Sequence, residues 1–121
     1  MELTPLVQPG RQIIERYGPS GFRVSGSVYL GPILVFPERT VAWVAAAVTL
    51  EGLAAVVEHG GVELLLLGLG RRMLPVAAAL RTALKAGGIA VEAMDTGAAC
   101  RTYNVLLAED RRVAAALLPP V

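Results

Sequence analysis

Apolar positions along this chain follow two rhythms. From Phe22 to Phe36 they come in short bursts cut by turn residues: Phe22-Arg23-Val24, Ser25-Gly26-Ser27, Val28-Tyr29-Leu30, Gly31-Pro32 and Ile33-Leu34-Val35-Phe36. Brief β-prone runs between Gly- and Pro-containing turns predict an antiparallel meander. Gln12 to Tyr17 reads as a strand before it, and Gly18-Pro19-Ser20-Gly21 as a turn. Pro37 closes the meander, because proline lacks the N–H of an interior strand. Thr40 to Ala45, rich in β-branched and aromatic residues, predicts one more strand.

Beyond it the period lengthens. Thr49 is placed to cap a helix from Leu50 to Glu58, with Glu51 at its positive end and Leu53, Val56 and Val57 as its buried stripe. Gly60-Gly61 ends that helix. Val62 to Leu67 is almost wholly apolar, as in a strand covered on both faces. A loop follows at Gly68-Leu69-Gly70-Arg71-Arg72, and Pro75 suits the first turn of the next helix. There Val76, Leu80, Ala83 and Leu84 share a face, while Arg81 and Lys85 are expected in solvent; Gly87-Gly88 stops it. Ile89 to Met94 is a strand, Asp95-Thr96-Gly97 a turn, and a helix runs on to Ala108. A last strand spans Arg112 to Leu118, before Pro119-Pro120. The alternation predicts an α/β fold with parallel strand pairs and helices packed on the sheet, behind an N-terminal β portion. One domain is expected over residues 1–121, with 1–11 an irregular arm around Pro5, Pro9 and Gly10.

Composition narrows the classes. Hydrophobic residues make up 55% of the 121 and charged residues 17%, so a dense core is expected and disorder is not. The mean hydropathy of +0.58 raises the question of a membrane. Neither Val41–Leu50 nor Leu64–Leu67 approaches the ~18 apolar residues of a spanning helix. A net charge of +1, with six aromatics and no basic run longer than a pair, argues against nucleic acid. The single cysteine forbids an internal disulfide and the single histidine a His/Cys zinc cluster, so no metal or cofactor is expected. Met-Glu-Leu-Thr-Pro has neither the apolar core of a secretory signal nor an Arg-rich transit pattern, and a reducing cytoplasm is expected.

Polar chemistry gathers at Asp95, Thr96, Cys100, Arg101 and Asn104. Cys100 lies in the first turns of its helix beside Arg101, where dipole and charge favour a thiolate. It also falls on an apolar stripe with Ala99, Tyr103, Leu106 and Leu107, and that stripe favours simple packing against the sheet. Arg101 and Asn104 share another face, near the free amides of Thr96 and Gly97, and together would suit an anion. The plainer reading is that Asp95 or Thr96 caps the helix and Arg101 pairs with an acid. Gly68-Leu69-Gly70 is half of a dinucleotide fingerprint; Met73 stands where the third glycine belongs, so the match is weak. The preferred site is a crevice between the Gly68–Gly70 loop, with Arg71, and the Asp95–Gly97 turn, provided the two strands are parallel neighbours.

Three stretches carry a family resemblance: Tyr17-Gly18-Pro19-Ser20-Gly21-Phe22-Arg23-Val24-Ser25-Gly26, Glu63-Leu64-Leu65-Leu66-Leu67-Gly68-Leu69-Gly70, and Met94-Asp95-Thr96-Gly97-Ala98-Ala99-Cys100-Arg101-Thr102-Tyr103-Asn104-Val105-Leu106. In this order they resemble a family of small, mostly uncharacterised bacterial and archaeal α/β proteins. Its relatives include the mitochondrial NADH:ubiquinone oxidoreductase (complex I) assembly factor 3 and an adipogenesis-associated protein. The resemblance implies a three-layer arrangement: a central mixed sheet with helices on it, an N-terminal antiparallel β portion, and a last strand antiparallel to the others. It brings no catalytic mechanism. With one histidine and no acid pair at a recognisable spacing, a non-enzymatic binding or assembly protein is the expected class; the resemblance implies that its partner is a subunit or an assembly factor of a membrane-associated complex. The alternative is a small enzyme or carrier that holds an anionic metabolite in the crevice.

Overall fold

The computed structural model describes residues 10–71 and 75–120; the first nine residues of the expected arm, and Arg72 and Met73 of the expected loop, lie outside them. The chain first forms a three-stranded antiparallel sheet, β1 (Ile14–Gly18), β2 (Gly21–Val24) and β3 (Ser27–Leu30), in that order. Ser25 and Gly26, at φ 44° and 86°, make the left-handed two-residue turn that matches strand twist. The register of β1 slips between Ile14 and Arg16. This bulge leaves Ile14 facing the core and turns Arg16 outward, beside Arg23.

The expected meander ends one strand early. β4 (Ile33–Val35) leaves it for a second sheet, in which it pairs with β5 (Thr40–Ala42). All three β4 residues are buried, so β4 needs cover on both faces, whereas β2 buries one face only. The second sheet also holds β6 (Leu64–Leu69), β7 (Ala90–Met94) and β8 (Val113–Leu118), in the order β5-β4-β8-β6-β7. It is a central mixed sheet. The last strand, expected antiparallel to the others, is antiparallel to β4 but parallel to β6. The cause lies in the two helical crossovers, α2 (Ala78–Ala86) and α3 (Thr96–Ala108). Each carries the chain from the carboxyl end of one strand back to the amino end of the next, so β6, β7 and β8 point the same way.

Three layers result. Leu65 and Leu67 of β6 join Leu53 and Val56 around α1 (Ala54–His59), and Leu80 and Leu84 of α2, on one face. Leu66 faces the other way, with Val113, Ala115 and Leu117 of β8, Tyr103 of α3 and Phe22 and Val24 of the small sheet. The small sheet and α3 thus form the outer layer on that side.

Local departures from the expected pattern have local causes. α1 starts at Ala54, four residues late. The Thr49 hydroxyl accepts from the Gly52 amide (2.9 Å), and the Trp43 indole donates to the Gly52 carbonyl (2.7 Å), so residues 50–53 close a turn instead of a helix. Val57, expected in the stripe, is exposed. β6 continues through Gly68 and Leu69, which pair with Leu117 and Leu118, and the loop begins at Gly70. Pro75 precedes α2 by three residues; Arg81 is exposed, as expected, and its guanidinium also donates to the Val91 carbonyl (2.6 Å).

Candidate functional site

β6 and β7 are parallel neighbours, and β8 lies parallel on the other side of β6. Their carboxyl ends therefore gather at one edge of the sheet. The chain leaves β6 toward α2 on one face and β7 toward α3 on the opposite face. Ligands of open α/β sheets settle where successive connections diverge in this way. A crevice of about 420 Å³ opens there, lined by Tyr17, Gly18, Pro19, Gly70, Arg71, Asp95, Gly97 and Pro120.

Thr96 is the keystone of its floor. Its side chain is fully buried, and its hydroxyl accepts from the Gly70 amide (2.8 Å) while donating to the Leu118 carbonyl (2.5 Å). The Thr96 amide donates back to the Gly70 carbonyl (2.8 Å). One residue thus ties together the ends of β6 and β8 and the start of α3, and leaves its buried hydroxyl satisfied. Asp95 caps α3 by accepting from the Ala98 amide (3.0 Å).

The two glycines of the Gly-x-Gly pair have packing roles. A Cβ on Gly68 would lie 2.8 Å from Leu117 Cδ2 and 3.1 Å from the Thr96 Cα, so its absence lets the first turn of α3 settle on β6. Gly70, at φ 77°, makes the left-handed turn that brings its amide to Thr96.

Among the other sequence candidates, Arg71 lines the crevice, and Arg101 stands beside it with Nη1 donating to the Tyr17 hydroxyl (3.2 Å). That bond brings the small sheet over the start of α3. A Cβ on Gly97 would come within 2.7 Å of the Tyr17 hydroxyl, so glycine there lets the Tyr17 ring lie close over the start of α3. Asn104 lies one turn further on and clamps β1: its Oδ1 accepts from the Ile14 amide (3.0 Å) and its Nδ2 donates to the Ile14 carbonyl (2.8 Å). Cys100 is 3% exposed and packs with Ala99, Tyr103 and Leu107. Burial pushes its thiol up to about 12, against a smaller lowering by Arg101 and a further raising by Asp95. Burial of this kind outweighs the helix dipole and leaves Cys100 a neutral packing group at physiological pH.

Sequence reasoning missed Tyr17, Gly18, Pro19 and Pro120 as crevice residues. They lie far from Asp95 in the chain, and only the tertiary fold brings them there. His59 sits at the opposite end of the sheet, stacked on Phe36 (centroids 4.1 Å apart) and hydrogen-bonded to Glu38. Among the described residues no group of three or more His, Cys, Asp or Glu could hold a metal ion, and no helix is long and apolar enough to cross a membrane.

An uncharacterised protein of Rhodobacter capsulatus is 42% identical over 107 residues, covering 88% of this chain and 83% of that protein. The zebrafish (Danio rerio) NADH dehydrogenase (ubiquinone) 1 alpha subcomplex assembly factor 3 is 38% identical over 112 residues; the match covers 89% of this chain and 64% of that longer protein. A crystal structure from Bartonella henselae, described as an outer membrane protein, superposes with a TM-score of 0.82 at 39% identity, over 93% of this chain and 98% of the other. The model of the family of unknown function DUF498/DUF598 matches residues 14–118, which hold both sheets, all three helices and the crevice. The chain belongs to the DUF498/DUF598 family, which includes assembly factor 3 of NADH dehydrogenase among its relatives.

Proposed function

We propose that this chain is a non-enzymatic binding protein that helps a respiratory NADH dehydrogenase complex to assemble. The observation that carries this reading is an apolar surface on the small sheet. Val28 and Leu30 are 69% and 78% exposed on the outer face of β3, the side turned away from Phe22, Val24 and the core. A single exposed apolar side chain is ordinary, but two side by side on an outer strand support a protein-binding reading. The assembly-factor relatives supply the class of partner. Deleting the gene in its own organism is expected to lower the amount of fully assembled NADH dehydrogenase on native gels. The wild-type chain should restore it, and Leu30→Glu, which alters only this surface, should not. Undiminished complex in the deletion strain would overturn the reading.

A second reading keeps the crevice as a site for a small anion. It is favoured by Arg101, which among the described residues bonds the uncharged Tyr17 hydroxyl and no acid, with Arg71 at the same opening; the Asp95 carboxylate in the same lining opposes an anion and keeps the expected binding weak. Calorimetric titration with phosphate and with a dicarboxylate is expected to give dissociation constants in the high micromolar to millimolar range, about −4 to −6 kcal/mol. Arg101→Ala should abolish the heat. Unchanged binding in that variant would remove the site.

A further inference from the structure

We propose that the free edge of β3 receives an extended, acidic segment of the partner protein as a fourth strand, an inference that rests on the assembly reading above. The two-residue turn at Ser25-Gly26 fixes which backbone groups face outward. Val24 pairs with Ser27 next to the turn, and Phe22 with Tyr29 two residues on. In an antiparallel ladder closed this way those two pairs exchange hydrogen bonds, so the amides and carbonyls of Val28 and Leu30 point to the open side. They offer the main-chain template that a docking strand uses.

The other outer edges are guarded. On β1, both backbone groups of Ile14 are held by Asn104, and the strand carries a bulge. On β7, the Arg81 guanidinium occupies the Val91 carbonyl. β5 is three residues long. Native sheets blunt their edges with such devices, with charged side chains or with short length. Within Ser27-Val28-Tyr29-Leu30, β3 carries no charged side chain, proline or bulge, and it exposes two apolar side chains.

Charge selects the occupant. Arg16, Arg23 and Val28 lie in one cross-strand row on the outer face. Like charges placed directly opposite each other destabilise a sheet, and among the described residues only Glu15 offsets them, 3.4 Å from the Arg23 Nε. A shallow groove of about 310 Å³ runs over this row and past Leu30. It fits a strand whose outward side chains alternate between acidic and apolar: the apolar ones meet Val28 and Leu30, and the acidic ones come within reach of the arginines. A second copy of this chain would instead bring another Arg16–Arg23 pair onto the same face, and the repulsion disfavours it.

The test is an NMR titration of the full chain with a short capped peptide of repeating Glu-Thr-Val-Thr, whose same-face side chains alternate glutamate and valine, beside one of repeating Lys-Thr-Val-Thr. The acidic peptide is expected to shift the amides of Val28, Leu30 and Arg23 and to leave the crevice unmoved, while the basic peptide does nothing. Arg23→Gln should weaken binding about two- to fivefold, on the scale of losing an exposed charge pair. Val28→Pro removes an outward amide without touching the β2–β3 bonds, and it should abolish binding. No shifts at millimolar peptide, equal response to both peptides, or self-association through β3 would overturn the proposal. If gene deletion still depletes the complex in those cases, the assembly role stands and only its docking surface is wrong.

Discussion

At the scale of single residues the structure is most sensitive at Thr96. Its hydroxyl serves one donor and one acceptor at once, inside a site closed to solvent. Thr96→Val keeps the shape and strands both partners, and an unsatisfied buried group costs about 1–3 kcal/mol. The expected loss is about 2 kcal/mol in denaturant unfolding, with Thr96→Ser close to wild type. Equal stability of the valine variant would show that the ends of β6 and β8 and the start of α3 are held together by something else. Cys100 makes a prediction of the opposite kind. Its thiol is raised from an ordinary value near 9 to about 12, so between those pH values the unfolded chain loses a proton that the folded chain keeps. Stability is therefore present below about pH 9 and falls as pH rises toward 12. Cys100→Ala should cost about 1 kcal/mol at neutral pH and flatten part of that alkaline decline. Labelling of the native thiol at pH 8 should be far slower than that of a free thiol. Rapid labelling would place Cys100 at an open, electropositive site instead of in the core.

At the scale of elements, β6 bears the most. Leu65, Leu66 and Leu67 have no exposure and point alternately into the two cores. Leu65→Asp buries a charge without a partner, which costs several kcal/mol, and should leave the chain unfolded or insoluble. A cooperative melt at an unchanged midpoint would mean that the strand is not central. This strand was legible in the sequence because an unbroken apolar run has few other homes, and α3 because Asp95 and a long apolar stripe mark it. Elements whose limits depend on distant contacts were less legible. The start of α1 is set by Trp43 reaching the Gly52 carbonyl, and β4 changes sheets because β8 offers it a second partner. The direction of β8 relative to its neighbours came from the crossovers, which local periodicity does not encode. Gly68-Leu69-Gly70 shows the same limit: it has the spacing of a phosphate loop, yet Gly68 serves the approach of α3 to β6.

At the scale of the whole molecule, two surfaces lie next to each other. The crevice sits at the carboxyl ends of the parallel strands, and the small sheet overhangs it through Tyr17, which bonds Arg101 and covers Gly97. The crevice was legible as a meeting of the Gly70 and Asp95 turns. Its Tyr17 wall was not, because more than 80 positions separate Tyr17 from Arg101. The exposed face of β3 was hidden for a different reason: Val28 and Leu30 look like core residues until the fold shows which side of the sheet is covered. The central claim is that this face binds the partner. It is tested most directly by quantitative cross-linking and mass spectrometry of the tagged chain in its own organism, with wild type, Leu30→Glu and Arg101→Ala compared. The account predicts cross-links from the small sheet to a component of the NADH dehydrogenase assembly line, lost in Leu30→Glu and kept in Arg101→Ala. Cross-links that survive Leu30→Glu and vanish in Arg101→Ala would move the binding surface to the crevice and contradict it.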